Sequence, residues 1–409
     1  MPDRAPRPPW HRPFAEQLAF FRNKLNLPTE RWDDIRKEEH DRAFIVAGAQ
    51  GADLLADLNT AVTRAIADGS GLEAFRKDFK ALVAKNGWSG WTGEGSKAGV
   101  AWRTKVIYQT NMGTSYAAGR WQQLNDPELQ SVMPYWRYKH SDSVLYPRPL
   151  HVSWDGLTLP PDAPFWKTHF PPNGWGCHCR VIPASKSEYL KAIASGKGPA
   201  NAPAAGNVEG IDRGFAYAPG ASVADELKAL ADQKLSKLPA PLGAALDAEQ
   251  PPALAVQRSA AFASWVDDVL AVGVSRNRWE VVGAVRQTEL DYLTAANRPL
   301  PLTAEIAVED RLLVGKKAQR HEEEGNALTA DEWKSIPEAL DTRRQVYFDK
   351  QQNRLLYVLP AIDDERSIRL VVEVDFVTTR PKRVVNMARS GFKVNVQALL
   401  DRTRYDEIR

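Results

Sequence analysis

Residues 172–181 read Pro-Asn-Gly-Trp-Gly-Cys-His-Cys-Arg-Val. Two turn-forming dipeptides, Asn-Gly and Trp-Gly, stand immediately before a Cys-His-Cys triplet at 177–179. Glycine and asparagine favour tight turns because they tolerate backbone conformations that most residues avoid. The spacing therefore predicts a tight loop that holds the two cysteine side chains close to each other.

The cysteines of this loop, Cys177 and Cys179, are the only two in the chain. A pair separated by one residue cannot supply a disulfide framework, so we expect folding in a reducing compartment. Cysteine and histidine are good zinc ligands, and His140 and His151 precede the loop. A structural zinc on Cys177, Cys179, His151 and His140 is one interpretation. Two buried free thiols beside hydrogen-bonded histidines are the other.

The segment around the loop, residues 132–183, is rich in proline, histidine and aromatic residues. Short strand-like runs occur at Tyr135–Lys139 and Leu150–Trp154. Its tryptophans are most simply the core of a small subdomain without long helices. This composition predicts a compact, loop-rich Trp/Cys/His subdomain.

Helical patterns precede that subdomain, between residues 14 and 125. One apolar stripe at helical spacing consists of Leu54, Leu55, Leu58, Val62 and Ile66. The glycines that follow Asp68 predict the end of that helix. A long helix is predicted from Trp102 to Leu124, and residues 1–13, rich in Pro and Arg, are predicted to form an extended arm.

The C-terminal part has a different pattern. Residues 221–258 are rich in Ala, Pro and Gly and predict a linker with one short helix. Within 259–409, helix candidates include one from Glu309 to about Glu324, and alternating apolar residues at 368–376 predict a strand. The predicted fold class is multi-domain α+β, with a helical N-terminal part, the loop-rich subdomain, and a C-terminal domain built on a mainly antiparallel sheet.

The overall composition is that of a globular protein. Of 409 residues, 43% are hydrophobic and 26% charged, which argues against global disorder. The formal net charge of +3 is too small to indicate nucleic-acid binding by itself. The sequence shows neither a signal peptide nor an apolar stretch long enough to span a membrane, so we expect synthesis in the cytoplasm.

Several motifs in a fixed order carry a family resemblance. They are Trp102-Arg103, Ile107, Thr110-Asn111 and Tyr116–Arg120, then Pro149–Gly156, then Phe165-Trp166 and Pro172–Val181. In that order they resemble the Mu F-like head-morphogenesis family of phage minor capsid proteins, over roughly residues 14–220. The resemblance implies a virion component present in few copies, made in the host bacterium and located near the portal or inside the capsid shell.

The C-terminal domain has a second resemblance. Its motifs are Ile306–Val308, Lys316-Lys317, His321, Leu328-Thr329 with Glu332 and Pro337, Tyr347 and Val377–Thr379. They are similar to phage domains grouped with the barnase, EndoU, colicin and RelE-like ribonucleases. A metal-free ribonuclease needs a general acid or base and cations around the phosphate. The candidates are His321 for proton transfer, with Lys317, Thr378 and Arg380 binding the phosphate. Further cations in or beside the predicted strands could complete a phosphate cradle: Arg344, Lys382, Arg383 and Arg389. The alternative is a solvated charged helix in an architectural domain.

Two functions follow from these resemblances. The first is a minor head protein of a Mu-like tailed bacteriophage that acts in head morphogenesis and in DNA packaging or delivery. Its expected partners are portal and capsid or scaffold proteins and packaged DNA, with no membrane and no cofactor beyond a structural zinc. The alternative is a virion-carried, metal-independent ribonuclease effector that acts on RNA through the C-terminal domain.

Overall fold

A computed structural model describes residues 14–35, 37–142, 144–204, 206–222, 227–362, 365–378, 382–399 and 401–409. The chain divides into two compact units, Met1–Asp225 and Glu226–Arg409. The arm predicted at residues 1–13 lies outside the described residues. Within those residues, no helix combines the length and the apolar character needed to cross a bilayer.

The first unit begins with a helical part. Its elements are α1 (Ala15–Arg22), β1 (Leu25–Asn26), α2 (Glu39–Arg42), β2 (Ala43–Phe44), α3 (Ala52–Asp68), α4 (Leu72–Lys85), α5 (Lys97–Leu124) and α6 (Pro127–Val132). Helix α3 buries the predicted apolar stripe and ends at Gly69, whose φ of 67° is the left-handed conformation that glycine adopts without strain. Helix α5 starts earlier than predicted because the Ser96 side chain caps it by accepting from the Gly99 amide.

A small aromatic subdomain follows. Its elements are β3 (Tyr135–Lys139), α7 (Pro149–Ser153), β4 (Thr158–Leu159), α8 (Phe165–His169), β5 (Arg180–Ala184) and α9 (Lys186–Ala194). The three strands form an antiparallel sheet in the order β4-β3-β5, over a core that buries Trp136 and Trp166. The strand predicted at 150–154 is wrong. Those residues lie mainly in α7, because Pro149 occupies the first helical turn, where its fixed φ favours a helix.

The second unit is built on one large sheet. Its helices are α10 (Leu227–Leu235), α11 (Ala240–Ala248), α12 (Pro252–Val272), α13 (Gln287–Ala295), α14 (Arg311–Val314), α15 (Lys316–Glu323), α16 (Ala330–Lys334) and α17 (Ile336–Thr342). Its strands are β6 (Trp279–Ala284), β7 (Glu305–Glu309), β8 (Gln345–Asp349), β9 (Arg354–Pro360), β10 (Ser367–Val377), β11 (Val384–Val394) and β12 (Tyr405–Ile408).

The seven strands lie in the order β12-β8-β9-β10-β11-β7-β6. Every neighbouring pair is antiparallel except β11 and β7, so the sheet is mainly antiparallel, as predicted. The helix predicted from 309 to 324 is divided into α14 and α15 at Gly315, where an added Cβ would lie 2.5 Å from the Arg311 carbonyl oxygen.

The stretch predicted as a linker, 221–258, differs from that expectation. From Leu227 onward it carries α10, α11 and the start of α12, and Ala240 and Ala244 lie in the core of the second unit. The small residues that suggested a linker serve close packing instead. A Cβ added to Gly243 would lie 3.1 Å from the Ala304 Cβ.

Candidate metal centre

One histidine and both cysteines meet in the aromatic subdomain. His151 lies on α7, while Cys177 and Cys179 lie in the loop before β5. The His151 Nδ1 atom is 3.7 Å from the Cys177 Sγ and 3.8 Å from the Cys179 Sγ. The three ligand atoms all lie within 4.8 Å of one another. The arrangement therefore brings together three groups of the kind that bind zinc.

The orientation of His151 is fixed by its second ring nitrogen. Its Nε2–H donates to the Gly210 carbonyl oxygen at 2.9 Å. With Nε2 protonated, Nδ1 carries the lone pair that faces the two sulfur atoms. The ring also stacks on Trp154 at 5.1 Å between centroids. A carbonyl that accepts from the outer nitrogen is the usual support of a metal-binding histidine.

The cysteine loop is held by a carboxylate from a distant segment. Asp212 Oδ2 accepts from the Arg148 guanidinium at 2.7 Å and from the Trp175 amide at 2.9 Å. Gly174 leaves room for this pair, since an added Cβ would lie 1.9 Å from the Arg148 Nη1. The Cys177 amide then donates to the Gly174 carbonyl at 3.1 Å and closes the turn. Glycine is thus required at 174 for close approach rather than for an unusual φ.

The two thiols are electrostatically unequal. The hydrogen bond from the Cys177 thiol lowers the pKa of Cys179. The same hydrogen bond, together with burial, raises the pKa of Cys177. The pair therefore favours one thiolate and one thiol, and the thiolate is the form that binds a metal ion.

His140, the fourth residue of the predicted zinc site, is not in this cluster: no His140 ligand atom belongs to the group described above. His140 directly follows β3, where its backbone amide donates to the Asp155 carboxylate at 2.8 Å. The described residues thus supply three ligands rather than the predicted four.

The candidate nuclease residues are dispersed in the second unit. His321, on α15, is 5% exposed and stacks on Phe392 at 4.7 Å. Its Nδ1 lies 2.8 Å from the Asn326 Oδ1, and its Nε2 lies 3.4 Å from the Ser390 hydroxyl. Lys317 lies nearby and donates to the Arg389 carbonyl at 2.6 Å. This histidine is a packed, hydrogen-bonded group rather than an open proton donor.

Thr378 lies at the opposite end of the β10–β11 pair. Its hydroxyl donates to the Arg383 carbonyl at 3.0 Å. Arg383 precedes Ser390 by seven positions, a distance of about 20 Å at the rise of an extended strand. Thr378 therefore cannot act with His321 on one phosphate. Arg380 lies outside the described residues.

The other arginines predicted to form a phosphate cradle are paired with carboxylates. These ion pairs are Arg344–Glu289, Arg383–Glu305, Arg389–Glu309 and Arg389–Glu373. Each carboxylate cancels positive charge that a phosphate would require. Of the described candidates, the second unit brings His321 and Lys317 near each other but holds Thr378 apart from them.

Sequence reasoning also missed residues that support the metal centre. Gly210 and Asp212 lie some thirty or more residues beyond the cysteines along the chain, so local spacing gives no sign of them. For Tyr138 the sequence predicted only a position in a short strand. In the structure its buried hydroxyl donates to the Asn173 Oδ1 at 2.8 Å and lies beside Cys179.

A segment that contains the candidate metal centre matches a phage protein family. Residues 56–182 match the family described as "Phage Mu protein F like protein", which supports the resemblance predicted from the sequence. All three clustered ligands lie inside that match.

The chain is also similar to two individual phage or prophage proteins. The chain is 29% identical to the "Mu-like prophage FluMu F protein" of Haemophilus influenzae over 407 residues, covering 90% of this chain and 95% of that protein. It is 35% identical to the "Putative capsid assembly protein F" of Escherichia phage Mu over 179 residues, covering 41% of this chain and 40% of that protein. No solved structure matches the chain significantly.

Proposed function

We propose that this chain is a minor head protein of a Mu-like tailed bacteriophage and acts in head morphogenesis. One observation carries the proposal: the likeness to the FluMu F protein extends over 95% of that protein. The family match at residues 56–182 and the phage Mu relative, whose name refers to capsid assembly, support the same function.

We also propose a location for the protein in the phage particle and the proteins that it contacts there. The protein joins the head near the portal, in contact with portal and capsid or scaffold proteins, and takes part in packaging or delivering DNA. We test this role in a lysogen that carries the gene, by blocking its expression and counting DNA-filled heads by electron microscopy. A fall in filled heads, restored by the wild-type gene, is expected. An unchanged yield of filled heads would contradict the role.

The proposal also assigns a structural zinc ion to His151, Cys177 and Cys179. Zinc binds sulfur at about 2.3 Å and nitrogen at about 2.1 Å, so a tetrahedral angle separates the two ligand atoms by about 3.6 Å. The observed separations of 3.7 and 3.8 Å fit that value. Both cysteines also line a groove of about 470 Å³.

Metal analysis of the full chain, purified without chelator, tests this assignment. We expect about one zinc per chain, lost in Cys177→Ser, with a lower melting temperature because the bound ion stabilises the folded state. His178→Ala is the matched control, since His178 lies between the cysteines but outside the cluster. His140→Ala should also retain zinc. Protein without zinc, or Cys177→Ser protein with full zinc, would refute the site.

A further inference from the structure

A second cavity in the first unit, of about 110 Å³, lies against helix α5. Its walls are largely apolar and include Val106, Ile107, Trp32 and Trp175. The two indole rings pack edge to face at 5.6 Å between centroids. An apolar cavity of about 150 Å³ admits benzene, so this one accepts a group about the size of a single side chain.

Arg103 of α5 lines this cavity without a balancing charge. The side chain is 7% exposed and forms no ion pair among the described residues. One N–H donates to the Ala47 carbonyl oxygen, but the buried Nε–H finds no acceptor in the part of the chain that the structure describes. Burial lowers the pKa of Arg103, and no carboxylate opposes that effect. A buried guanidinium with an unused donor is costly to the fold unless a ligand satisfies it.

Lys24 adds positive charge to the lining. It is 4% exposed and donates to the His40 carbonyl at 2.6 Å. Burial lowers the pKa of His40 to about 4, so this lining histidine is neutral at neutral pH. No lining residue in the described part of the chain is Asp or Glu. Asp41 interacts electrostatically with Lys24, but it does not line the cavity, and its Oδ2 accepts from the Gly220 amide at 2.8 Å.

We propose that this cavity binds a carboxylate attached to one small apolar group, with the carboxylate on Arg103 and the apolar group against the tryptophans. A guanidinium recognises carboxylates well because its N–H groups form a planar fork. Two sources offer this chemistry: a small free aliphatic acid, and the C-terminal residue of a partner polypeptide. The site uses none of the three candidate zinc ligands and goes beyond the role in head assembly, although Trp175 belongs to the cysteine loop.

Calorimetric titration of the full chain with isobutyrate and with isobutyramide tests the proposal. The two probes share an isopropyl group and differ in charge. Isobutyrate should bind at least about tenfold more tightly, the factor expected for a charge-assisted hydrogen bond. Arg103→Met should abolish that preference. Arg120→Met, on the same helix but outside the cavity, should preserve it.

A short peptide ending in valine distinguishes the two sources. Tighter binding of its free-acid form than of its amide assigns the site to a polypeptide terminus, whereas binding of isobutyrate alone assigns it to a free acid. Equal affinity for isobutyrate and isobutyramide in the wild-type protein overturns the proposal, and this result does not depend on whether Arg103→Met folds. Unchanged isobutyrate preference in a folded Arg103→Met protein overturns it as well.

Discussion

Replacing Arg344 by methionine should lower the free energy of unfolding of the second unit by about 3–5 kcal/mol, the cost of leaving a buried charge unpaired. The Arg344 and Glu289 side chains are 3% and 0% exposed, and their charged groups lie 2.8 Å apart. Methionine retains much of the side-chain length and apolar contact, so the main loss is the charge.

The structure shows what remains after the substitution. Glu289 Oε2 still accepts from the Arg286 amide at 2.8 Å and from the Thr288 hydroxyl at 3.1 Å. The Oε1 atom loses its ion-pair partner, and the Ala284 carbonyl loses a donor at 2.8 Å. Because these groups are buried, the loss of unfolding free energy should be about 3–5 kcal/mol rather than the value below about 1 kcal/mol that is typical of an exposed ion pair.

Urea unfolding, followed by circular dichroism, measures the effect. Glu289→Gln and the double variant complete a cycle, and the coupling between the two sites should be about 2–3 kcal/mol. Arg343→Met is the control, since Arg343 is adjacent, 59% exposed and paired with an exposed glutamate. Its effect should stay below about 0.5 kcal/mol. If Arg344→Met also lowers the free energy of unfolding by less than about 0.5 kcal/mol, the ion pair with Glu289 does not stabilise the fold. Arg344 is then again a candidate for phosphate binding.

Three further predictions concern other parts of the chain. Burial lowers the pKa of His169 to about 4. The melting temperature should therefore fall as the pH drops from 6.5 towards 4, because His169 binds a proton in the unfolded chain but not in the folded chain. His169→Gln should reduce that slope, and an unchanged slope would show that His169 is not responsible. Thr329→Ala should cost about 1 kcal/mol of unfolding free energy by removing the cap of α16, and a loss below about 0.3 kcal/mol would count against the cap. Limited proteolysis should give fragments that end near the division between the two units, with residues 227–258 on the C-terminal one; early cleavage inside α11 would contradict this.

Local signals predicted the elements that depend on neighbouring residues. Helix α3, its end at Gly69 and strand β10 all follow from residues a few positions apart. The strand prediction at Leu150–Trp154 was wrong because the apolar residues there suggested a strand, whereas the preceding proline favours a helix. The stretch 227–258 misled because alanine and glycine suit both a linker and closely packed helices.

The candidate sites depended on contacts that spacing does not reveal. The loop sequence indicated that Cys177 and Cys179 lie together, but not which histidine joins them. His151 is near the sulfurs because α7 packs there and Gly210 orients its ring. His321 seemed a free titratable group, yet Asn326 and Phe392 enclose it. Such enclosure depends on the tertiary fold.

The central claim, that this chain is a minor head protein, is tested most directly by quantitative mass spectrometry of purified phage particles and of their assembly intermediates. We predict that the chain is present in both at a copy number far below that of the major capsid protein. Absence of the chain from mature particles and from every assembly intermediate would contradict the claim.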